Sequence, residues 1–205
     1  MAKQRKGSIL CPHCNKLISA DEPRCPYCNT THPGSWWKDN ALIRGLANAD
    51  LLISAILYVN IGMYVISLLI EPAGIILSLN DPFRFLSPGS RSLLLLGATG
   101  SVPIDTAHRW WSLLAANYLH GNILHILFNM LAFRQLSALV LAEYGTHRTI
   151  VLYTLGGVLG FFVSYLAGVE QTIGASASIC SLIGAMLYFG KSRGGAYGQA
   201  VYKQV

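Results

Sequence analysis

Charge is what this chain has least of. Only 12% of its 205 residues are Asp, Glu, Lys or Arg, against about 25% in ordinary soluble domains. So little charge argues against a water-soluble globule, and the 53% share of hydrophobic residues points to a bilayer as the solvent. Long basic runs interleaved with aromatics are missing as well. The net charge of +6 therefore does not imply a nucleic-acid partner, and none is expected. A cleavage signature is also absent: the first apolar stretch follows fifty largely polar residues, so it reads as a transmembrane helix and not a signal peptide. Finally, no histidine follows Ser176 up to Val205.

Four stretches are long enough to cross a membrane. Residues 51–70 carry no charge over twenty positions, about 30 Å at ~1.5 Å per residue, which matches a hydrocarbon core. Residues 121–142 are apolar apart from His125, Asn129, Arg134 and Gln135, and residues 149–169 and 172–190 are both uncharged. The expected fold class is an all-α membrane protein. Seven of the fifteen Lys and Arg precede the first span, and Lys191, Arg193 and Lys203 follow the fourth. The positive-inside rule then places both termini in the cytoplasm and the 71–120 connection outside. The expected location is the inner or plasma membrane, multi-pass, with the bilayer itself as a partner.

Residues 1–38 form a separate cytoplasmic unit with its linker, and residues 39–205 the membrane domain. Cys11-Pro-His-Cys14 and Cys25-Pro-Tyr-Cys28 are two CxxC knuckles, ten residues apart. Four thiolates so spaced suit a closed tetrahedral zinc site, and so short a segment needs the metal to fold. Two disulfides are the alternative, disfavoured by a reducing cytosol. A closed site implies a structural or docking role with a partner the sequence does not name. His13 and His32 are surplus to a four-cysteine site. Cys180, in the last span, is expected to be a buried apolar side chain, and 30–38, with Trp36 and Trp37, reads as the linker.

The 71–120 connection is too apolar for a plain loop. It is expected to lie in the membrane interface, with Trp110, Trp111 and Tyr118 at headgroup level.

Polar groups inside apolar spans are costly, which makes those present informative. His125 and Asn129 are i and i+4, so they share a helix face. Both can donate hydrogen bonds, which suits a developing oxyanion. His120 lies one turn toward the outer surface. Ser176 sits near the start of the fourth span among Gly174, Ala175 and Ala177, where backbone N–H groups face outward. The alternative for each is helix packing or polar glue. Ser178, Ser181 and Gly184 read as packing residues, as do Gly156, Gly160 and Ser164 of the third span.

Taken together, Trp110-Trp111-Ser112-Leu113-Leu114, His120, His125-x-x-x-Asn129 and Gly174-Ala-Ser176-Ala-Ser178 resemble the rhomboid family of intramembrane serine proteases, from about Asp50 to the end of the chain. The resemblance implies a rhomboid-like helical bundle behind an N-terminal zinc ribbon. It implies Ser176 as nucleophile, His125, Asn129 and the Ser176 N–H as the oxyanion site, and His120 as a supporting residue. It also implies cleavage of another protein's transmembrane helix near the outer face, with no catalytic cofactor.

The sequence departs from the family in two places. Ser112 stands where the family often has Arg, and Arg109 could replace that anchor. Four of the usual six spans are present, and the family's general-base histidine belongs to the sixth. The expected function is thus a rhomboid-class serine endopeptidase, with these 205 residues inactive alone for want of a base. The alternatives are a non-catalytic rhomboid-like binder of membrane helices, a zinc-ribbon membrane scaffold, or a Ser176–His125 dyad.

Overall fold

A computed structural model describes residues 7–34, 48–74 and 85–204. Trp36 and Trp37 of the expected linker, Pro82 and Arg84 of the connection, and the basic residues Lys3, Arg5, Lys6, Lys38 and Arg44 lie outside the described residues. The chain divides into two compact units, Met1–Leu52 and Ile53–Val205.

The first unit is built on a two-stranded antiparallel ribbon, β1 (Ser8–Leu10) and β2 (Leu17–Ser19). Ile9 pairs with Ile18, and their side chains join Cys11, Cys14, Cys25 and Cys28 in one small core. Cys11 and Cys25 are buried within it. A knuckle follows each CxxC pair, closed by Asn15 N–H to the Cys11 carbonyl and Asn29 N–H to the Cys25 carbonyl, both at 2.9 Å. Both asparagines adopt positive φ, which asparagine tolerates better than most residues.

Helix α1 (Ala49–Ile70) begins at Asn48, whose side-chain oxygen accepts from the N–H groups of Asp50 and Leu51, a normal N-cap. Pro72 stands just past its end, where the helix cannot continue. A short pair, β3 (Pro72–Gly74) with β4 (Ser87–Pro88), follows. Then come three short helices, α2 (Ser90–Leu96), α3 (Ser101–Ala107) and α4 (Ser112–Ala115), and a 3-10 turn at Ala116–Tyr118. The connection expected to lie in the interface is therefore folded and packed. Ile104, Leu113 and Ala116 are buried against Phe161, and Leu93, Ala98 and Leu119 form a second cluster. Trp110 and Trp111 remain about half exposed. Tyr118 turns inward, 6.4 Å from the Tyr153 ring.

Arg109 donates to the Leu94 carbonyl at 2.8 Å, tying the loop before α4 back to α2. Ser112 is buried and donates to the Thr99 hydroxyl at 2.8 Å. The position where a guanidinium was expected thus holds a small hydroxyl, while Arg109 anchors from three residues earlier.

Helix α5 (Ile123–Leu166) covers both middle stretches predicted from hydropathy. The only non-helical backbone inside it is Gly145 (φ 73°, ψ 169°), so a single residue reverses the chain where a short turn was expected. Its 44 residues would measure about 66 Å if straight, twice a hydrocarbon core. By length and composition α1 and α5 are apolar enough to cross a membrane. Helix α6 (Ser176–Arg193) is about 27 Å long. Residues 172–175, predicted as its first turn, are not helical. Thr172 instead pairs with Thr99 through two backbone hydrogen bonds of 2.7 and 3.1 Å. Those bonds and the positive φ of Gly174 stop the helix from starting earlier. The last element is α7 (Gly195–Gln204).

The main core lies between the two arms of α5 and α6. Phe133, Val140, Tyr153, Ile179, Leu182 and Met186 are buried there. Small residues set the spacing. A Cβ on Gly156 would fall 2.0 Å from the Ser181 hydroxyl, and one on Gly160 3.0 Å from the Ala177 methyl. Ser181 donates to the Leu152 carbonyl at 3.0 Å. The stripe on the second arm of α5 packs helices, as expected. Gly184, expected to pack likewise, is exposed, and a Cβ there would meet nothing within 4 Å.

Candidate active site

His125 sits in the first turn of α5, held by its surroundings. The Asn122 side chain caps the helix by accepting from the His125 N–H at 2.7 Å. The Gly121 N–H donates to His125 Nδ1 at 3.3 Å. With Nδ1 accepting, the ring proton belongs on Nε2, and that nitrogen becomes a donor. Asn129 lies one turn on, nearly buried, with Nδ2 donating to the His125 carbonyl at 2.8 Å. An amide nitrogen carries two protons, so one remains for another acceptor. His120 precedes the helix. It is fully buried, its ring meets the His125 ring edge-on at 5.1 Å, and neither of its nitrogens has a partner among the described residues.

Ser176 is the first residue of α6 and is exposed. Its N–H precedes the first intrahelical acceptor and is free to donate. Gly174 is what brings the two halves together. Its φ of +123° suits glycine alone. A Cβ there would lie 2.7 Å from His125 Nε2 and 3.7 Å from Ser176 Oγ. The missing side chain thus lets the His125 ring pack against the Gly174 backbone, with the Ser176 hydroxyl close by. Gly174 is tied down by its own N–H, which donates to the Ala116 carbonyl at 2.9 Å.

Behind Ser176 the helix is locked. Ser178 is fully buried and donates to Asn117 Oδ1 at 2.7 Å, while Asn117 Nδ2 donates to the carbonyls of Leu113 and Leu114. Gly157 makes room for this group, since a Cβ there would fall 1.9 Å from Asn117 Oδ1. Asn117 and Gly157 were missed by sequence reasoning, because an Asn in a loop and a Gly in a span carry no signal of a mutual contact. Cys180, expected to be buried, is exposed. Burying Ser178, Ile179, Leu182 and Met186 turns Ser176, Cys180, Gly184 and Tyr188 to the opposite side of the helix.

In the first unit the four sulfurs of Cys11, Cys14, Cys25 and Cys28 lie within 4.8 Å of one another. Cys11 and Cys28 are 3.6 Å apart, and Cys14 and Cys25 3.7 Å. A disulfide would need about 2.05 Å. A tetrahedral zinc site with Zn–S ≈ 2.3 Å has sulfur–sulfur edges of ~3.8 Å, so the set fits that metal. His13 and His32 stand outside the cluster. The Thr30 hydroxyl, 3.1 Å from the Cys28 sulfur, and the Thr30 backbone favour the thiolate and bring Cys28 down to about 6. Cys14 goes up to about 12: the Lys16 backbone favours its thiolate, but burial and the three neighbouring sulfurs outweigh that. Four thiolates so close cannot all ionise without a cation between them.

The family model for the rhomboid domain matches residues 107–204, which hold His120, His125, Asn129, Gly174 and Ser176. Those residues form a rhomboid domain. RHOMBOID-like protein 9, chloroplastic, of Arabidopsis thaliana is 33% identical over 106 residues, covering 52% of this chain and 24% of that protein. Rhomboid protease GluP of Bacillus subtilis is 32% identical over 102 residues, covering 50% of this chain and 20% of that protein. Rhomboid-like protease 3 of Toxoplasma gondii is 28% identical over 171 residues, covering 83% of this chain and 56% of that protein. The chain thus spans between a fifth and just over half the length of these rhomboid relatives. No solved structure matches.

Proposed function

We propose that this rhomboid chain carries the nucleophile and oxyanion half of an intramembrane serine endopeptidase. The supporting observation is the close approach at Gly174, whose missing side chain brings His125 Nε2 and the Ser176 hydroxyl near one another. A scissile carbonyl of a substrate's transmembrane segment lies against the exposed Ser176 hydroxyl. Ser176 Oγ attacks the carbonyl carbon and gives up its proton to a base. The carbonyl oxygen becomes an oxyanion that accepts from His125 Nε2–H, the remaining Asn129 N–H and the Ser176 N–H. Collapse expels the amine, protonated by the same base, and leaves an acyl-enzyme that water hydrolyses. His120 supports the His125 ring through edge-on contact.

A serine hydroxyl needs a base to attack at neutral pH. Within the 205 residues the imidazole beside Ser176 is His125, whose Nε2 already holds its proton. The polypeptide taken alone therefore supplies nucleophile and oxyanion donors without a base, and is inactive. The absence of a free base nitrogen at Ser176 among the described residues also favours a second reading, a non-catalytic binder of membrane helices in the same cleft. Zinc at Cys11, Cys14, Cys25 and Cys28 is structural, and the first unit faces the cytoplasm of a cell whose plasma or inner membrane holds the rest.

The reading is tested with a fluorophosphonate probe and a transmembrane substrate. The chain alone is expected to label weakly and not to cleave. Robust labelling of Ser176 that is abolished by His125→Ala would instead make His125 the base.

A further inference from the structure

Helix α6 carries one end of the proposed active site, and its other end is basic. After Glu170 the chain contains no acidic residue, and its charged groups there are Lys191, Arg193 and Lys203. Where α6 meets α7, two glycines let the backbones touch: a Cβ on Gly190 would fall 2.9 Å from the Gly198 carbonyl, and one on Gly198 2.5 Å from the Gly190 carbonyl. This close crossing leaves a cavity of about 380 Å³ lined by Gly190, Lys191, Gly194, Gln199, Tyr202 and Lys203.

The third cation is engaged elsewhere. Arg193 lies over the rings of Phe189 and Tyr197, at 5.5 and 5.3 Å, and Tyr197 hydrogen-bonds to Glu143. Neither Lys191 nor Lys203 has a carboxylate partner among the described residues, and both are exposed. Two ammonium groups, an amide and a phenol thus face one cleft with no negative charge in its lining. Lys191 is fifteen residues from Ser176, about 22 Å along the helix, which sets the cleft at the headgroup level of the opposite leaflet.

We propose that this cleft binds the phosphate-bearing headgroup of an anionic phospholipid. Ammonium groups suit a phosphodiester as point charges, with Gln199 and Tyr202 supplying neutral hydrogen bonds. Basic pockets between membrane helices at the cytoplasmic surface take such headgroups, whereas a zwitterionic lipid brings its own cation and gains less. The proposal rests on α6 crossing the membrane and is independent of any catalytic role for Ser176.

Native mass spectrometry of the full chain in detergent, titrated with phosphatidylglycerol or phosphatidylcholine, tests it. The chain is expected to retain one phosphatidylglycerol at concentrations where phosphatidylcholine is at least about tenfold less bound. Lys191→Gln with Lys203→Gln is expected to weaken phosphatidylglycerol binding about thirtyfold, and Arg at both positions to preserve it. Ser176→Ala should bind as the parent does, even if Ser176 proves non-nucleophilic. Equal binding of the two lipids, or undiminished binding by the Gln variant, overturns the proposal. Displacement of phosphatidylglycerol by millimolar inorganic phosphate assigns the cleft to free phosphate and overturns the lipid source.

Discussion

Ser176 and Ser178 stand two residues apart on one helix and have opposite surroundings. Ser178 is fully buried, and its hydroxyl is committed to Asn117, which is in turn committed to two carbonyls. Ser176 is exposed and stands near a ring N–H that only a glycine at position 174 lets approach so closely. Ser178 holds α4 and its turn against α6, whereas the Ser176 hydroxyl has no hydrogen-bond partner among the described residues. The hydroxyl proposed as nucleophile differs from its fully partnered neighbour in the partner it lacks among the described residues.

The contrast yields graded expectations. The largest concerns the open side. His125→Ala removes the Nε2 donor and should lower any Ser176 reaction rate by about 10²–10³-fold, with little change in stability, because the ring's hydrogen bonds are few. Probe-labelling rates with parallel thermal melts would check both halves.

The closed side should respond in stability instead. Ser178→Ala leaves a buried Asn117 oxygen without its donor and should cost about 1–3 kcal/mol. Gly157→Ala drives a methyl into the same group and should cost at least as much as ordinary overpacking, about 1–3 kcal/mol. Thermal unfolding in detergent would measure each. A stability loss from Ser176→Ala as large as that from Ser178→Ala would break the distinction between the two serines.

Much of this was legible in the sequence, for physical reasons. Period and length located α1, both arms of α5 and most of α6, because a run of apolar residues has few alternatives in lipid. The i, i+4 spacing put His125 and Asn129 on one face, and the CxxC spacing brought four sulfurs together. What was not legible depended on contacts distant in the chain. Thr172 pairs with Thr99, and this delays α6 until Ser176. Cys180 is exposed because its neighbours at 178, 179 and 182 fill the core. Asn117 meets Ser178 across sixty-one residues. Arg109, which the sequence offered as a substitute for the family's Arg at the Ser112 position, does reach the Leu94 carbonyl.

The smallest expected effect on α6 comes from the first unit. Zinc displaces protons from the thiols, so acidification should release it. A metal-sensitive dye should report retention at about pH 7 and progressive release as the pH is lowered, since protons compete with zinc for the four thiolates. Ser176 labelling, compared between metal-loaded and metal-stripped chains at a fixed pH, should not change.

The central proposal is that Ser176 is a nucleophile flanked by oxyanion donors, with no base nitrogen free to serve it among the described residues. Chemical rescue tests it most directly: the purified chain is treated with a fluorophosphonate probe over rising concentrations of added imidazole. Labelling should be weak without imidazole and rise with it. It should vanish in Ser176→Ala and be reduced in His125→Ala. Labelling that stays at the Ser176→Ala background at every imidazole concentration would contradict the account and leave the chain as a binder of membrane helices.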